Sequence, residues 1–215
     1  MAVPRLLSRL PLPIFSLAFA LLLRLSDATA QVDPALISRA CEYAKGGTTC
    51  VAWLQDNEDD AELSGIDRSD PDSIAFFSLK KIEKEAVMVS EAVSAKLSAG
   101  TAEDLSPVTQ QGLAECKDHY VPAVDLIEEA VDSLAGKAYP DAMKFLKAST
   151  LDLVACQKSL AKLGTDKKDT KADAHATDAI NRRDLLASHV ALAQSILEFS
   201  ASGGGAAASV AAPPS

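Results

Sequence analysis

Apolar positions along this chain recur at helical spacing in four long segments. Between Pro71 and Ala99 the positions Ile82, Ala86, Val89, Val93 and Leu97 fall three and four apart, so they share one helix stripe. Ser69 and Asp70 ahead of Pro71 supply a cap and a first-turn proline, and Gly100 supplies a stop. A second stripe runs Leu113, Cys116, Tyr120, Val124, Ile127, Val131 and Leu134, ending at Gly136. Pro122 sits inside it and is expected to kink the helix, because it removes a backbone donor and crowds the preceding turn. The third stripe is Ala142, Leu146, Ser149, Leu153, Cys156, Leu160 and Leu163, stopping at Gly164. A polar linker, residues 165–171, leads to a last stripe of Leu185, His189, Leu192, Ile196 and Phe199. Four amphipathic segments joined by short polar turns predict an all-α fold, an up-down-up-down four-helix bundle.

Two shorter helical candidates, Asp33–Ala44 and Thr49–Gln55, precede the bundle and are separated by Gly46 and Gly47. Helices of that length are marginal alone in water, so this hairpin extension needs something to hold it. Further upstream, Arg5 and Arg9 are followed by an apolar run to Leu23 and then by Ala28-Thr29-Ala30, the order of a secretory signal peptide. A membrane anchor needs about 20 uninterrupted apolar residues, whereas two prolines break this run and Arg24 closes it. The expected organisation is therefore a signal peptide over 1–30, a helical domain over 31–200 and a disordered Gly/Ala/Pro tail over 201–215, too weakly hydrophobic for a lipid-anchor signal. After cleavage no membrane attachment is expected, and the protein is secreted.

Composition narrows the chemistry. The 215 residues carry 21 Lys and Arg against 30 Asp and Glu, a net charge of −9. Loss of Arg5, Arg9, Arg24 and Asp27 with the leader takes the mature chain to −11. No basic run offers a footprint for phosphates, which disfavours nucleic acid as a partner. Four cysteines and three histidines lack zinc-ligand spacing, so no metal site and no cofactor is expected. His119, His175 and His189 fall on different elements and compose no catalytic triad. His189 lies on an apolar stripe and reads as a packed or hydrogen-bonded bundle residue. The acidic run Asn57–Glu62 reads as a solvated loop.

An even cysteine count in an exported chain reads as disulfides, with three connectivities open for four residues. A Cys41–Cys50 bridge would staple the short hairpin, worth ~2–3 kcal/mol by loop entropy. A Cys116–Cys156 bridge would tie the second bundle helix to the third, worth ~4 kcal/mol. Nested or crossed pairings remain open but draw the hairpin cysteines onto the bundle.

In this order of elements the chain resembles the plant invertase and pectin methylesterase inhibitors, over residues 34–200. The resemblance is carried by the signal peptide and by the cysteine pair with eight residues between its members. It is carried also by Cys116, Tyr120, Ala123 and Val124 of a Cys-x-x-x-Tyr-x-x-Ala-Val segment, by the fourth cysteine some 40 residues on, and by the terminal segment Leu186–Ala193. The sequence departs from the family at Pro122 and at His189, where Asn is usual. The resemblance implies a four-helix bundle with an N-terminal hairpin, bridges Cys41–Cys50 and Cys116–Cys156, and no catalysis. It implies stoichiometric inhibition of a cell-wall enzyme in the apoplast, with pectin methylesterase or acid invertase as the protein partner.

The stretch after the second bundle helix is the candidate contact region, with Lys137, Tyr139, Pro140, Asp141, Lys144 and Phe145 as partner-binding residues. Invertase inhibitors tend to carry Pro-Lys-Phe there. Here Pro140 is followed by Asp141, and Lys144-Phe145 comes later, which shifts the expected target toward pectin methylesterase. A competing reading of the same residues is a proline-initiated helix with Phe145 packed inward. Two readings from other classes are a secreted helical signalling or structural module without inhibition, and a lipid carrier, the latter disfavoured because the strict stripes predict a filled core.

Overall fold

The computed structural model describes residues 31–56, 61–99, 106–161 and 170–204; within the last helix, side chains are described from Leu185. The expected signal peptide, the stops at Gly100 and Gly164, Leu163 and most of the acidic run lie outside the described residues.

A helical hairpin comes first. Helix α1 (Pro34–Tyr43) starts where Asp33 accepts hydrogen bonds from the backbone N–H groups of Ala35 (2.9 Å) and Leu36 (3.2 Å), with Pro34 at the first helical position. It ends in a Schellman turn. Lys45 takes the left-handed conformation (φ 54°), its N–H donates to the Glu42 carbonyl, and Gly46 N–H donates to the Cys41 carbonyl. Helix α2 (Gly47–Gln55) then folds back, two residues earlier than Thr49, and the Cys41–Cys50 bridge joins the pair. A Cβ at Gly46 would lie 2.5 Å from Cys50 Cβ and 2.6 Å from a Leu192 methyl, so only glycine lets this turn lie against the last bundle helix.

After the single turn α3 (Ala61–Ser64), an isolated parallel bridge pairs Val32 with Arg68. The Arg68 side chain, 4% exposed, donates to the Leu54 carbonyl (2.9 Å) and stacks its guanidinium on Phe77. Among the described residues there is no strand.

The bundle is formed by α4 (Pro71–Ala99), α5 (Pro107–Ala135), α6 (Tyr139–Ala161) and α7 (Thr170–Ala201). Each packs on its chain neighbours, and α4 closes the ring against α7; the hairpin lies over the α4 and α7 side. Asp70 caps α4 by accepting from Ser73 N–H (3.0 Å), and Ser106 caps α5 by accepting from Thr109 N–H (3.2 Å). Helix α5 is one continuous element with Pro122 inside it. Pro122 and Asp118 are both solvent-exposed, so the lost helical donor falls on the solvent side of the helix.

The predicted stripes of α4, α5 and α6 are the buried ones: Ile82, Ala86 and Val93, then Cys116, Tyr120 and Ile127, then Leu146, Leu153 and Leu160. The Cys116–Cys156 bridge links α5 to α6 with their Cα atoms 4.0 Å apart. Helix α7 corrects the expectation in two places. It begins at Thr170, inside the stretch read as a polar linker, and Leu185 is 53% exposed. The buried band runs instead through Leu186, His189, Val190, Ala193, Ile196, Leu197 and Phe199. It is wide because α7 is covered from two directions, by the bundle and by the hairpin. Beyond α7, Gly203 and Gly204 take positive φ (71° and 72°) and close a second Schellman turn, and Arg39 donates to the Gly204 carbonyl. Ala201–Gly204 therefore belong to the folded unit and not to the tail expected from 201; residues 205–215 lie outside the described residues.

Candidate binding surface

The α5–α6 turn is built as a third Schellman cap. Gly136 is the C-cap with φ −79°, and the left-handed position falls to Lys137 (φ 58°). Lys137 N–H donates to Leu134 O (2.8 Å) and Ala138 N–H to Ser133 O (2.8 Å). The Ala138 carbonyl then accepts from Asp141 and Ala142 N–H and starts α6. The side chain of Lys137 is consequently held out from the turn, 77% exposed, toward the start of α4.

There it meets Asp72, whose carboxylate joins three elements. It lies 3.8 Å from Lys137 Nζ, accepts from Ser200 Oγ of α7 (2.6 Å), and hydrogen-bonds the Tyr139 hydroxyl. Burial, reinforced by that carboxylate, raises the Tyr139 phenol above its ordinary value. Next to it the Asp70 carboxyl is held below the usual carboxylate range, chiefly by the hydrogen bond from the Ser73 hydroxyl. A hollow of about 360 Å³ opens here, floored by Ile66, Phe76 and Leu134 and rimmed by Asp67, Asp72, Ser73 and Lys137. The exposed Lys137–Asp72 pair adds little stability; it places charges of both signs beside an apolar floor.

Of the sequence-derived contact candidates, Lys137 and Tyr139 come together at this rim. Pro140, Asp141 and Lys144 are exposed on the first turns of α6. Phe145 is half-buried and packs against the core, away from Lys144. Asp72 of the rim and Ser200, which donates to it from α7, were not singled out from the sequence; they are 128 residues apart and no local pattern joins them.

A second polar cluster anchors the hairpin. Glu85 of α4 accepts from Trp53 Nε1 of α2 (2.8 Å) and from His189 Nδ1 of α7 (2.6 Å), and the indole and imidazole rings stack with centroids 4.6 Å apart. Lys81, one turn earlier, donates to the carbonyls of Trp53 (2.8 Å) and Asp56, and burial lowers its pKa. His189 is thus a hydrogen-bonded bundle residue, as its stripe position implied. His119 of α5 sits 3.5 Å from Asp152 of α6. Among the described residues no three His, Cys, Asp or Glu side chains converge as a metal site requires, and no helix is long and apolar enough to cross a membrane.

A disulfide-stapled hairpin clamped to a braced four-helix bundle defines a rigid helical module whose distinctive features are surface ones. Residues 35–196 match the plant invertase/pectin methylesterase inhibitor family, and the chain belongs to that family. The crystal structure of mutant form A of a pectin methylesterase inhibitor from Arabidopsis is similar to it, with a TM-score of 0.56 and 16% identity over 74% of this chain and 93% of that one. A pectin methylesterase inhibitor from Arabidopsis thaliana aligns over 74% of this chain and 96% of its own length, at 16% identity and a TM-score of 0.43. No curated protein sequence matches the chain.

Proposed function

We propose that this chain is a secreted, non-catalytic inhibitor of a pectin methylesterase, acting in the apoplast by stoichiometric occlusion of the enzyme's active-site cleft. Family membership supports an inhibitor of pectin methylesterase or invertase. The observation that carries the choice between them is the turn into α6. It lacks a Pro-Lys-Phe tripeptide, and the only phenylalanine near it, Phe145, faces the core and not the solvent. The two disulfides fit an oxidising compartment, and residues 1–30 supply the export signal.

Rigidity is the physical basis of the action. A complex of ordinary size buries about 800 Å² on each partner, and a surface already fixed by two bridges and the Glu85 clamp loses little freedom on binding. The net −11 of the mature chain speeds encounter with a basic enzyme surface at low salt. The test is a rate assay of the mature chain, residues 31–215, against a pectin methylesterase and an acid invertase in parallel. Slowing of the esterase alone is expected; loss of invertase activity with the esterase untouched, or no effect on either, rejects the proposal.

A further inference from the structure

The middle stretches of the outer faces of α5 and α6 carry opposite charge, with exposed Lys117 on α5 and exposed Asp141 on α6 standing outside that pattern. On α5 the exposed positions Asp118, Asp125 and Glu129 are acidic; on α6 the exposed positions Lys144, Lys147 and Lys158 are basic. None of these six side chains forms an ion pair, although Lys80, Lys81 and Lys137 elsewhere each have a carboxylate partner within 4 Å. Between the charges lie apolar residues: Leu151 on α6, at 73% the most exposed large apolar side chain described, and Val121 on α5, 43% exposed, beside the exposed Pro122.

The heights of these residues correspond. Helices α5 and α6 run antiparallel about the turn at Gly136, and the Cys116–Cys156 bridge joins two positions equidistant from it. Equidistant positions therefore sit level. Asp125 is level with Lys147, Glu129 lies within one residue of the level of Lys144, and Val121 is level with Leu151, while Asp118 lies about one helical turn from Lys158. A two-fold axis running along the groove between α5 and α6, parallel to both, sets α5 of one copy against α6 of the other without changing height. Acid then meets base twice over and the apolar centres meet each other, the self-complementarity that an isologous contact needs.

We propose that this face is a self-association surface, on which a second copy of the chain docks through the α5 and α6 outer stripes to form a charge-registered homodimer. The proposal goes beyond inhibition and does not depend on which enzyme is inhibited. An exposed charged contact of this kind is weakened by salt, because each pair is screened over about 8–10 Å at physiological ionic strength.

Sedimentation equilibrium of the mature chain tests it. Wild type is expected to dimerise at low salt, with the dissociation constant rising at least about tenfold between ~0.05 M and ~0.5 M NaCl. Lys144→Glu/Lys147→Glu makes both stripes acidic, and Asp125→Lys/Glu129→Lys makes both basic, so each variant alone is expected to be monomeric. An equimolar mixture of the two is expected to recover a heterodimer, since every facing pair is again opposite in sign. All four positions are exposed, and far-UV circular dichroism confirms folding; the wild-type salt series stands without any variant. A wild-type chain that stays monomeric at low salt, variants that still self-associate, or a mixture that does not pair overturns the proposal. So does a face that only a target enzyme, and never a second copy, protects from lysine modification.

Discussion

Replacing Glu85 by alanine should detach the hairpin before the bundle melts. The carboxylate is the shared acceptor for Trp53 Nε1 at 2.8 Å and His189 Nδ1 at 2.6 Å, with the His189 side chain only 7% exposed. Removing it strands two donors in a packed setting, and each stranded donor costs about 1–3 kcal/mol, or roughly 2–6 kcal/mol together. Against a total stability of about 5–15 kcal/mol that is a large fraction. It corresponds to about 2–4 °C of melting temperature per kcal/mol for a domain of this size. Glu85→Gln keeps one acceptor and should cost about half as much. Trp53 is the single tryptophan of the chain and lies on α2, so its fluorescence reports hairpin docking while far-UV circular dichroism reports the bundle. In wild type the two urea transitions should coincide; in Glu85→Ala the fluorescence transition should come first. A loss below about 0.5 kcal/mol, or coincident transitions in the variant, would refute the view that this cluster holds the hairpin in place.

Three further outcomes follow from the same geometry. Lys137→Gly removes a side chain from a left-handed position and should raise stability by about 1 kcal/mol in urea unfolding, because only glycine occupies that region without strain. Cys116→Ser/Cys156→Ser should lower stability by about 4 kcal/mol, the loop entropy released by a closure of sequence separation 40, read by calorimetry. The Asp70 carboxyl is held below its ordinary value in the folded chain. Its contribution is therefore present above about pH 4 and lost as the pH falls through the depressed folded value. Asp70→Ala should cost about 0.5–2 kcal/mol at pH 7 and flatten the acid limb of the stability curve.

The bundle was legible because three of its helices bury one stripe each, and a single stripe is what a 3.6-residue period reports. The last helix was misphased at Leu185 because hairpin and bundle cover it from two directions, so nearly every apolar position near Leu186 is eligible for burial and the period loses its contrast. The cysteine pairing was legible from economy of chain path together with family resemblance. The polar cluster at the α5–α6 turn was legible only in part. Lys137 and Tyr139 announce themselves as a loop at a helix start, but Asp72 and its donor Ser200 join them through the tertiary fold alone. Glu85 reads in sequence as one more solvated acid on α4; only the arrival of Trp53 from a helix 32 residues away gives it a buried role. Lys137 in a left-handed turn was equally invisible, since Gly136 one residue earlier is the natural candidate for it.

On the proposed function, this chain occludes an enzyme as a rigid partner and performs no chemistry of its own. The most direct measurement mixes the mature chain with a pectin methylesterase and reads size and residual esterase rate in the same sample. An equimolar complex is expected, in which the rate falls linearly to its floor at one inhibitor per enzyme and returns when the complex is dissociated. A complex that keeps the full rate, or no complex at all under conditions where both proteins are folded and both disulfides closed, would contradict it.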